Sequence, residues 1–300
     1  MRKISFIQTN VFADERFQFS GNQLATFWNL SENELSTDEM QGITREMNFS
    51  ETTFVLPSKE DKCVRKVRIF TPGREIPFAG HPTLGTAFVL RNQGIIGATE
   101  TKAFLELGIG PIAVEFQNNL IKMHQAKPEF LEEFQDTTIM AKIMGISSEL
   151  ISQKYPMQFV STGFPFLIVP LTSLEAIRAI NLDINLLIKT LKGFSSQELL
   201  VFTPETVYVD SQVHVRMFAP SAGVLEDPAT GSAAGPLGGY LEKYKVLSSH
   251  PRGTLLVFEQ GYEINRPSKL IVLCEYTENE ISEIIVGGEV KLTVQGTFYL

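Results

Sequence analysis

The sequence has few of the features that mark secreted, zinc-binding or membrane-anchored proteins. Its two cysteines, Cys63 and Cys274, lie far apart with no CxxC spacing, so we expect neither a disulfide framework nor a zinc knuckle. No apolar run approaches the about 20 residues that span a bilayer. Polar residues interrupt the N-terminal segment before an apolar signal-peptide region can form. We therefore expect a cytoplasmic protein with two free thiols and no membrane partner.

An excess of positive charge is also absent. The chain has 26 Lys and Arg against 34 Asp and Glu, which gives a net charge of −8 and a pI near 5.2. Affinity for nucleic acid depends on neutralising several phosphates at once, and no basic cluster is available for this. The composition thus argues against nucleic acid as the main ligand.

Apolar residues are plentiful, at 43% of 300 residues, so the chain can bury a full core in one large domain or two smaller ones. Short β-rich runs dominate and a few helices punctuate them, which predicts an α+β fold. Ser36 and Glu39 form a capping-box pattern, and Asn48 can end the helix that they begin. The predicted helices cover about residues 37–47, 137–144 and 184–192, and Asn118-Asn119 predicts a hairpin turn.

An internal repeat relates the two halves of the chain. The pattern V-R-x-F-x-P occurs at residues 67–72 and again about 150 positions later, at 215–220. A Gly-led segment follows each copy, at 80–90 and 231–241. Segments 50–55 and 197–202 also resemble each other. We therefore predict two domains, 1–126 and 127–300, with the last strand, at about 290–300, able to return to the first.

Both Gly-led segments look helical, and their small and apolar residues are typical of a helix buried on all sides. Each half would then be a central helix wrapped by a curved sheet. A buried helix that starts at Gly80 or Gly231 presents unpaired N–H groups and the positive end of its dipole, which suits a carboxylate. The alternative is that each glycine only turns a tight corner.

Of the four histidines, only His81 lies where chemistry is expected, at the start of the first Gly-led helix. The helix dipole would favour its neutral form, which can donate a hydrogen bond without carrying charge. His124 and His214 lie in strand-like runs and are interpreted as structural, and His250 as a loop residue. No histidine pair has metal-ligand spacing.

Two carboxylates, Glu51 and Asp227, are candidates for acid/base chemistry. Glu51 enters a predicted strand, and Asp227 lies four residues before Gly231. A Glu at a strand end is usually solvated and an Asp before Pro usually shapes a turn, so these alternatives stay open. If either carboxylate acts in a closed cleft, proton transfer at carbon needs no cofactor.

Taken together, these motifs resemble the PhzF family of isomerases, within the diaminopimelate-epimerase-like fold. The similarity covers nearly the whole chain and is carried by residues 21–25, 49–55, 70–85, 226–235, 260–261, 266–268 and 286–288. The chain departs from the family at Gln23, where Pro is frequent, and at Asn265, where Gly is frequent. Epimerases of this fold use cysteines at the two helix starts, but here His81 and Ser232 occupy them, so two-thiol racemisation is not expected.

The resemblance implies two pseudo-symmetric domains, each a central helix wrapped by a curved, mostly antiparallel sheet, with the active site in the cleft between them. It also implies a homodimer. It assigns the acid/base role to Glu51, and substrate polarisation or binding to His81, Asp227 and Ser232.

Within the same resemblance, the backbone at Gly80 and Gly231 receives the substrate carboxylate, and Asn22 and Ser50 belong to the substrate-binding set. We therefore expect an isomerase that moves a proton between carbons of a small carboxylate metabolite, with no metal or organic cofactor. The alternative is a non-catalytic binding or scaffold protein that retains the fold.

Overall fold

The structure, a computed structural model, describes residues 1–247 and 251–300, so that His250 lies outside the described residues. The chain divides into two units. Unit 1 contains Met1–His124 and Gly287–Leu300, and unit 2 contains Gln125–Val286. Strands and a smaller number of helices make up both units, which confirms the predicted α+β class.

Unit 1 contains eight strands along the chain, two helices and the end of the last strand. Its strands are β1 (Lys3–Ala13), β2 (Asn22–Phe27), β3 (Glu51–Leu56), β4 (Arg65–Phe70), β5 (Glu75–Ile76), β6 (Lys102–Leu107), β7 (Gly110–Gln117) and β8 (Leu120–Gln125). Its helices are α1 (Thr37–Met47) and α2 (Gly80–Asn92).

Unit 2 contains β9 (Glu129–Glu133), α3 (Thr137–Met144), β10 (Gln158–Ser161), β11 (Pro165–Pro170), α4 (Leu174–Arg178), α5 (Ile184–Leu191), β12 (Leu199–Thr203), β13 (Val213–Ala219), β14 (Val224–Asp227), α6 (Gly231–Lys243), β15 (Leu256–Gln260) and β16 (Ser268–Thr277). Strand β17 (Glu280–Tyr299) begins in unit 2 and ends in unit 1.

The sheet of unit 1 combines antiparallel pairs with two parallel pairs, β2 with β3 and β4 with β6. β1 pairs antiparallel with β2 and with β17, which returns the end of the chain to this unit. β2 then pairs parallel with β3, with Leu24 opposite Glu51, and β3 pairs antiparallel with β4. This arrangement places Glu51 at the first position of β3.

Helix α1 covers one face of this sheet and begins and ends as the sequence predicts. The Ser36 hydroxyl accepts from the Glu39 N–H at 3.2 Å, while the Ser36 N–H donates to the Glu39 carboxylate at 2.8 Å. Asn48 ends the helix with a φ of 53°. Met40 and Ile43 pack with the stacked rings of Phe27 and Phe54.

Helix α2 lies against the sheet of unit 1 and is buried over most of its length, as predicted. Gly85 permits this close approach, because a Cβ at this position would lie 2.5 Å from a Leu24 methyl group and 2.8 Å from Val11. Hydroxyl groups also connect the two layers: Thr86 donates to Thr53 at 2.9 Å, and Thr53 donates to Thr26 at 3.0 Å.

The sheet of unit 2 repeats the same order of pairings around α6. β11 pairs parallel with β12, and β12 pairs antiparallel with β13, with Leu199 opposite Phe218. Helix α6 is mostly buried, and Gly238 lies so close to β16 that a Cβ would meet Val272 at 2.7 Å. Helices α3, α4 and α5 cover the apolar cluster on the other side.

Several elements have no clear signal in the sequence. The strands β2, β6, β9, β10 and β14 and the short helix α4 carry weak or mixed patterns, because polar residues occupy many of their positions. Cys63 lies just before β4 begins at Arg65, and Cys274 lies in β16. Both thiols are buried and free.

Candidate active site

The N-terminus of α2 is the centre of the candidate site in unit 1. The helix starts at Gly80, and the preceding Ala79 has no side chain that could cap it. The first backbone N–H groups of a helix have no partner within it, and they carry the positive end of the helix dipole. This helix start therefore suits an anionic group.

A chain of hydrogen bonds holds His81 at this helix start. The Ser50 hydroxyl donates to the Asn22 side-chain oxygen at 3.0 Å, and the Asn22 amide nitrogen lies 3.3 Å from His81 Nδ1. Asn22 is 1% exposed. The Ser50 hydroxyl thus fixes the Asn22 amide, and the Asn22 amide contacts the His81 ring. Asn22 and Ser50 therefore orient His81, in addition to any contact with substrate.

The other ring nitrogen of His81 faces Glu51. Its Nε2 lies 3.6 Å from Glu51 Oε2, just beyond hydrogen-bonding distance. The side chain of Glu51 is 16% exposed, so solvent or a ligand can reach it.

His81 is held in its neutral form. Burial lowers the pKa of His81 to about 3, although a hydrogen bond with the Gln23 backbone opposes this shift. The prediction of a neutral imidazole agrees with this direction, but the main cause is burial of the ring and not the helix dipole. A neutral imidazole can donate a hydrogen bond to an oxygen on which negative charge develops.

In unit 2 the corresponding helix, α6, begins at Gly231 with Ser232 as its second residue. The Thr230 side chain forms no capping bond with the helix. Its hydroxyl instead donates to Asp227 Oδ2 at 2.5 Å. Asp227 is 6% exposed and Thr230 7%, so this contact is buried.

A glutamine holds the first turn of α6 from the opposite side. Gln125 donates to the Gly231 carbonyl at 2.9 Å and accepts from the Thr162 hydroxyl at 2.6 Å. Gly235 packs directly on this side chain, and a Cβ there would overlap it. The start of α6 is therefore fixed within unit 2.

His214 is structural, as the sequence predicts, but it has two acidic partners that the sequence did not indicate. Its Nδ1 lies 3.0 Å from Glu259 and its Nε2 lies 3.0 Å from Glu263. Burial alone would lower the pKa of His214, but these hydrogen bonds and negative charges outweigh it, so the pKa is raised. His214 therefore keeps its proton to a higher pH than a free histidine does.

The structure brings the predicted residues together within each unit. Asn22, Ser50, Glu51, Gly80 and His81 cluster in unit 1. Asp227, Gly231 and Ser232 lie at the start of α6 in unit 2. That both sets act on one substrate stays a prediction.

Two polar residues near Asp227 had no predicted role, namely Thr230 and Gln260. Thr230 follows Asp227 by three residues, which is the spacing of many local side-chain hydrogen bonds and could have suggested the contact. Gln260 lies far away in sequence, so no local signal connects it to this turn.

Other parts of the described chain contribute no competing site. Within residues 1–247 and 251–300, no group of three His, Cys, Asp or Glu side chains is placed to hold a metal ion. No helix of the described chain has the length and apolar character to cross a membrane. A surface depression of about 640 Å³ in unit 1 contains none of the predicted site residues, and its rim includes Lys59, Lys66, Arg68, Glu32 and Glu75.

Comparison with known proteins identifies the family. A family model described as "Phenazine biosynthesis-like protein" matches residues 9–296. The chain is 34% identical over 300 residues to trans-2,3-dihydro-3-hydroxyanthranilate isomerase of Pseudomonas aeruginosa, covering 98% of this chain and 99% of that one. It is 36% identical over 292 residues to an uncharacterized isomerase of Pasteurella multocida, covering 94% and 89%.

A solved structure gives the same result. The PhzF-family phenazine biosynthesis protein of Bacillus anthracis superposes with a TM-score of 0.89 at 26% identity, over 100% of both chains. Since the family model spans nearly the whole chain and the named relatives are isomerases, this protein is an isomerase that belongs to the phenazine biosynthesis-like (PhzF) family.

Proposed function

We propose that this isomerase moves a proton between two carbons of a small carboxylate substrate, with Glu51 as the acid/base. Glu51 takes the proton from a carbon near the substrate carboxylate, and the electrons of that C–H bond form a new double bond. The electrons of the old double bond accept the proton that Glu51 returns at the far carbon. The reaction is a double-bond shift with no net redox change, so it requires no metal or organic cofactor.

The observation that carries this proposal is the pair of Glu51 and a buried, neutral His81 at an uncapped helix start. At 3.6 Å the ring Nε2 and the carboxylate are not hydrogen-bonded to each other, so neither group uses its hydrogen-bonding capacity on the other. Glu51 is the carboxylate of the pair and can accept a proton. His81, which stays neutral because it is buried, can donate a hydrogen bond to the substrate.

The charge that develops during proton removal needs a fixed electrostatic partner. We infer that the backbone N–H groups at Gly80 bind the substrate carboxylate or the developing anion, together with the His81 N–H. For unit 2, we infer that Gly231 and Ser232 contribute substrate contacts and that Asp227 binds the substrate or shares the proton.

We also infer that the two units are pseudo-symmetric copies of one diaminopimelate-epimerase-like half. Each has a parallel strand pair followed by an antiparallel pair and a mostly buried helix that begins with glycine. The homodimer and the cytoplasmic location stay predictions of the family resemblance.

The proposal is tested by turnover in deuterated water. Because its relatives are named for this substrate, trans-2,3-dihydro-3-hydroxyanthranilate is the first probe, followed by a panel of small unsaturated carboxylates. We expect the wild-type protein to incorporate deuterium at carbon, and Glu51→Gln to abolish incorporation without loss of folding. Glu46→Gln, on the exposed face of α1, is the matched control and should behave like the wild type.

Two outcomes would contradict the proposal. Full deuterium incorporation by Glu51→Gln would remove Glu51 from the acid/base role. Binding of panel compounds, seen as a rise in the melting temperature, with no conversion of any of them would favour the alternative of a non-catalytic binding protein.

A further inference from the structure

Gln260, the last residue of β15, is placed to organise the turn that contains Asp227. It is 2% exposed. Its side-chain oxygen accepts from the Thr230 backbone N–H at 3.1 Å, and its side-chain nitrogen donates to the Asp227 carbonyl at 2.8 Å. Because one end meets a donor and the other an acceptor, the orientation of this amide is unique.

The same amide sets the direction of the Thr230 hydroxyl. The Gln260 nitrogen also donates to Thr230 Oγ1, at 3.0 Å, so the hydroxyl serves there as the acceptor. Its single hydrogen is then directed to Asp227 Oδ2, 2.5 Å away. A hydrogen bond given to a carboxylate stabilises its charged form, and more strongly in a buried setting.

The backbone next to Gln260 is packed against the same turn. Gly261 has a φ of +81°, and a Cβ at this residue would lie 2.6 Å from the Pro228 carbonyl oxygen and overlap the Arg266 carbonyl. Only glycine fits both this conformation and this contact. The end of β15 and the Asp227-Pro228 turn are thus held at one fixed separation.

We propose that Gln260 and Thr230 are positioning residues that hold the Asp227 carboxylate charged and aimed for the isomerase reaction. This inference rests on the proposed function, in which Asp227 belongs to the reacting set. The Gln260 amide orients the Thr230 hydroxyl so that this hydroxyl donates to Asp227, and the resulting hydrogen bond orients the Asp227 carboxylate. Neither residue needs to touch the substrate.

The test follows Asp227 directly by nuclear magnetic resonance. Protein labelled with ¹³C at the aspartate carboxyl carbons is titrated with pH, and the Asp227 signal is assigned by its loss in Asp227→Asn. In Thr230→Val we expect the midpoint of this signal to move up by about one pH unit, because the charged form loses its donor. Thr230→Ser keeps a hydroxyl and should restore the wild-type midpoint.

Two further variants, a second test and a control, show whether the shift of the Asp227 midpoint is specific to this hydrogen-bond network. Gln260→Met removes the amide that orients Thr230 and should move the midpoint in the same direction, by a smaller amount. Thr206→Val removes a hydroxyl that donates to the Tyr208 carbonyl elsewhere in unit 2 and should leave the signal unchanged. If Thr230→Val does not fold, Thr230→Ala takes its place.

Turnover of the probe substrate gives the second readout. We expect kcat to fall about tenfold in Thr230→Val with little change in KM, and Thr230→Ser to recover it. An unchanged midpoint in both Thr230→Val and Gln260→Met would overturn the inference, and so would a shifted midpoint with unchanged kcat. If panel compounds bind to the wild type and none of them is converted, the proposed function fails, while the titration still decides whether these residues hold Asp227.

Discussion

The two units of this protein build the same local framework and place different polar groups on it. Helices α2 and α6 both begin at glycine, at Gly80 and Gly231, both are mostly buried, and neither has a side-chain cap. The strands that precede them pair in the same parallel and then antiparallel order. The repeat seen in the sequence is therefore also a repeat of backbone pairing.

A repeated side-chain cluster supports the same conclusion. In unit 1, Arg68 binds Glu75 and lies over the ring of Phe70 at 5.1 Å. In unit 2, Arg216 binds Glu226 and lies over Phe218 at 5.0 Å. The shared V-R-x-F pattern thus encodes the same cation–π and ion-pair arrangement twice.

The acidic residues at the starts of the equivalent strands, Glu51 as the first residue of β3 and Glu198 just before β12, have different neighbours. Glu51 lies beside His81 at 3.6 Å. Its counterpart by strand pairing, Glu198, accepts from the Ser221 hydroxyl at 2.7 Å and is 6% exposed. The comparison teaches that the framework is common to both units, while the pair of a carboxylate and a buried, neutral histidine occurs at the unit 1 position.

The largest expected effect separates these two glutamates. Glu51→Gln should lower kcat by about 10³-fold, because the amide cannot take a proton from carbon. Glu198→Gln makes the same change at the equivalent position of unit 2 and should change kcat by less than about tenfold. Steady-state turnover of the same probe substrate measures both, and equal losses in the two variants would mean that the acid/base role is shared between the units.

The repeated arginine clusters should differ in their contribution to stability. The side chains of Arg216 and Glu226 are 10% and 11% exposed, whereas those of Arg68 and Glu75 are 21% and 39% exposed. Arg216→Met leaves Glu226 buried without its charge partner and should lower the free energy of unfolding by about 3 kcal/mol. Arg68→Met should cost about 1 kcal/mol or less. Urea denaturation gives both values, and a reversed order would show that exposure does not control these pairs.

The buried helices should respond alike to a small increase in side-chain volume. Gly85→Ala in α2 and Gly238→Ala in α6 each push a methyl group into a neighbouring side chain, and each should cost about 2 kcal/mol of unfolding free energy. Gly42→Ala in α1 is the control, because a Cβ there meets no atom within 4 Å and should stabilise by about 0.5 to 1 kcal/mol. Thermal unfolding of the three variants checks this. If only one of the two buried variants were destabilised, α2 and α6 would not be equivalently packed.

The two buried histidines should give pH effects of opposite sign. The pKa of His81 is lowered to about 3 by burial, so its contribution to stability is present above the unfolded pKa of about 6.5 and is lost as the pH falls below it. The pKa of His214 is raised, in spite of its burial, by Glu259 and Glu263, so its contribution is present below about 6.5 and is lost as the pH rises through the folded pKa. The slope for one proton is at most about 1.4 kcal/mol per pH unit.

Denaturation of His81→Gln and His214→Gln at pH 5, 6.5 and 8 measures how the contribution of each histidine to stability changes with pH. Relative to the wild type, His81→Gln should gain stability towards pH 5, and the deficit of His214→Gln should shrink towards pH 8. The same pH trend in both variants would contradict the assigned charge states.

Much of the fold was predictable because its signals are local. The Ser36 and Glu39 capping box and the turn at Asn118 each act within a few residues, and the structure confirms them. Asp136 and Asp183 likewise cap the helices predicted to begin at residues 137 and 184. The fifth helix ends at Leu191, one residue earlier than predicted. Strands such as β9 and β10 were not predicted, because their order depends on pairing with each other and with β11.

The candidate site was predictable in part. Glycine at a helix start and a histidine next to it are visible in one short segment, so Gly80 and His81 could be proposed from the sequence. The contacts that orient them could not, because Asn22 and Ser50 are separated in the chain and meet only through the β2 and β3 pairing. The same holds for His214 with Glu259 and Glu263, which adjacent strands and the following turn bring together.

The sequence by itself determined where α1, α3 and α5 begin, the internal repeat and the identity of the residues at the two glycine-led helix starts, since these follow from interactions between near neighbours or from direct comparison of segments. Only the tertiary structure decided that His81 is neutral because it is buried, and that Gln260 and Thr230 hold Asp227. Burial and long-range hydrogen bonds depend on which distant segments pack together. That packing is a property of the whole chain and is not encoded in any one segment.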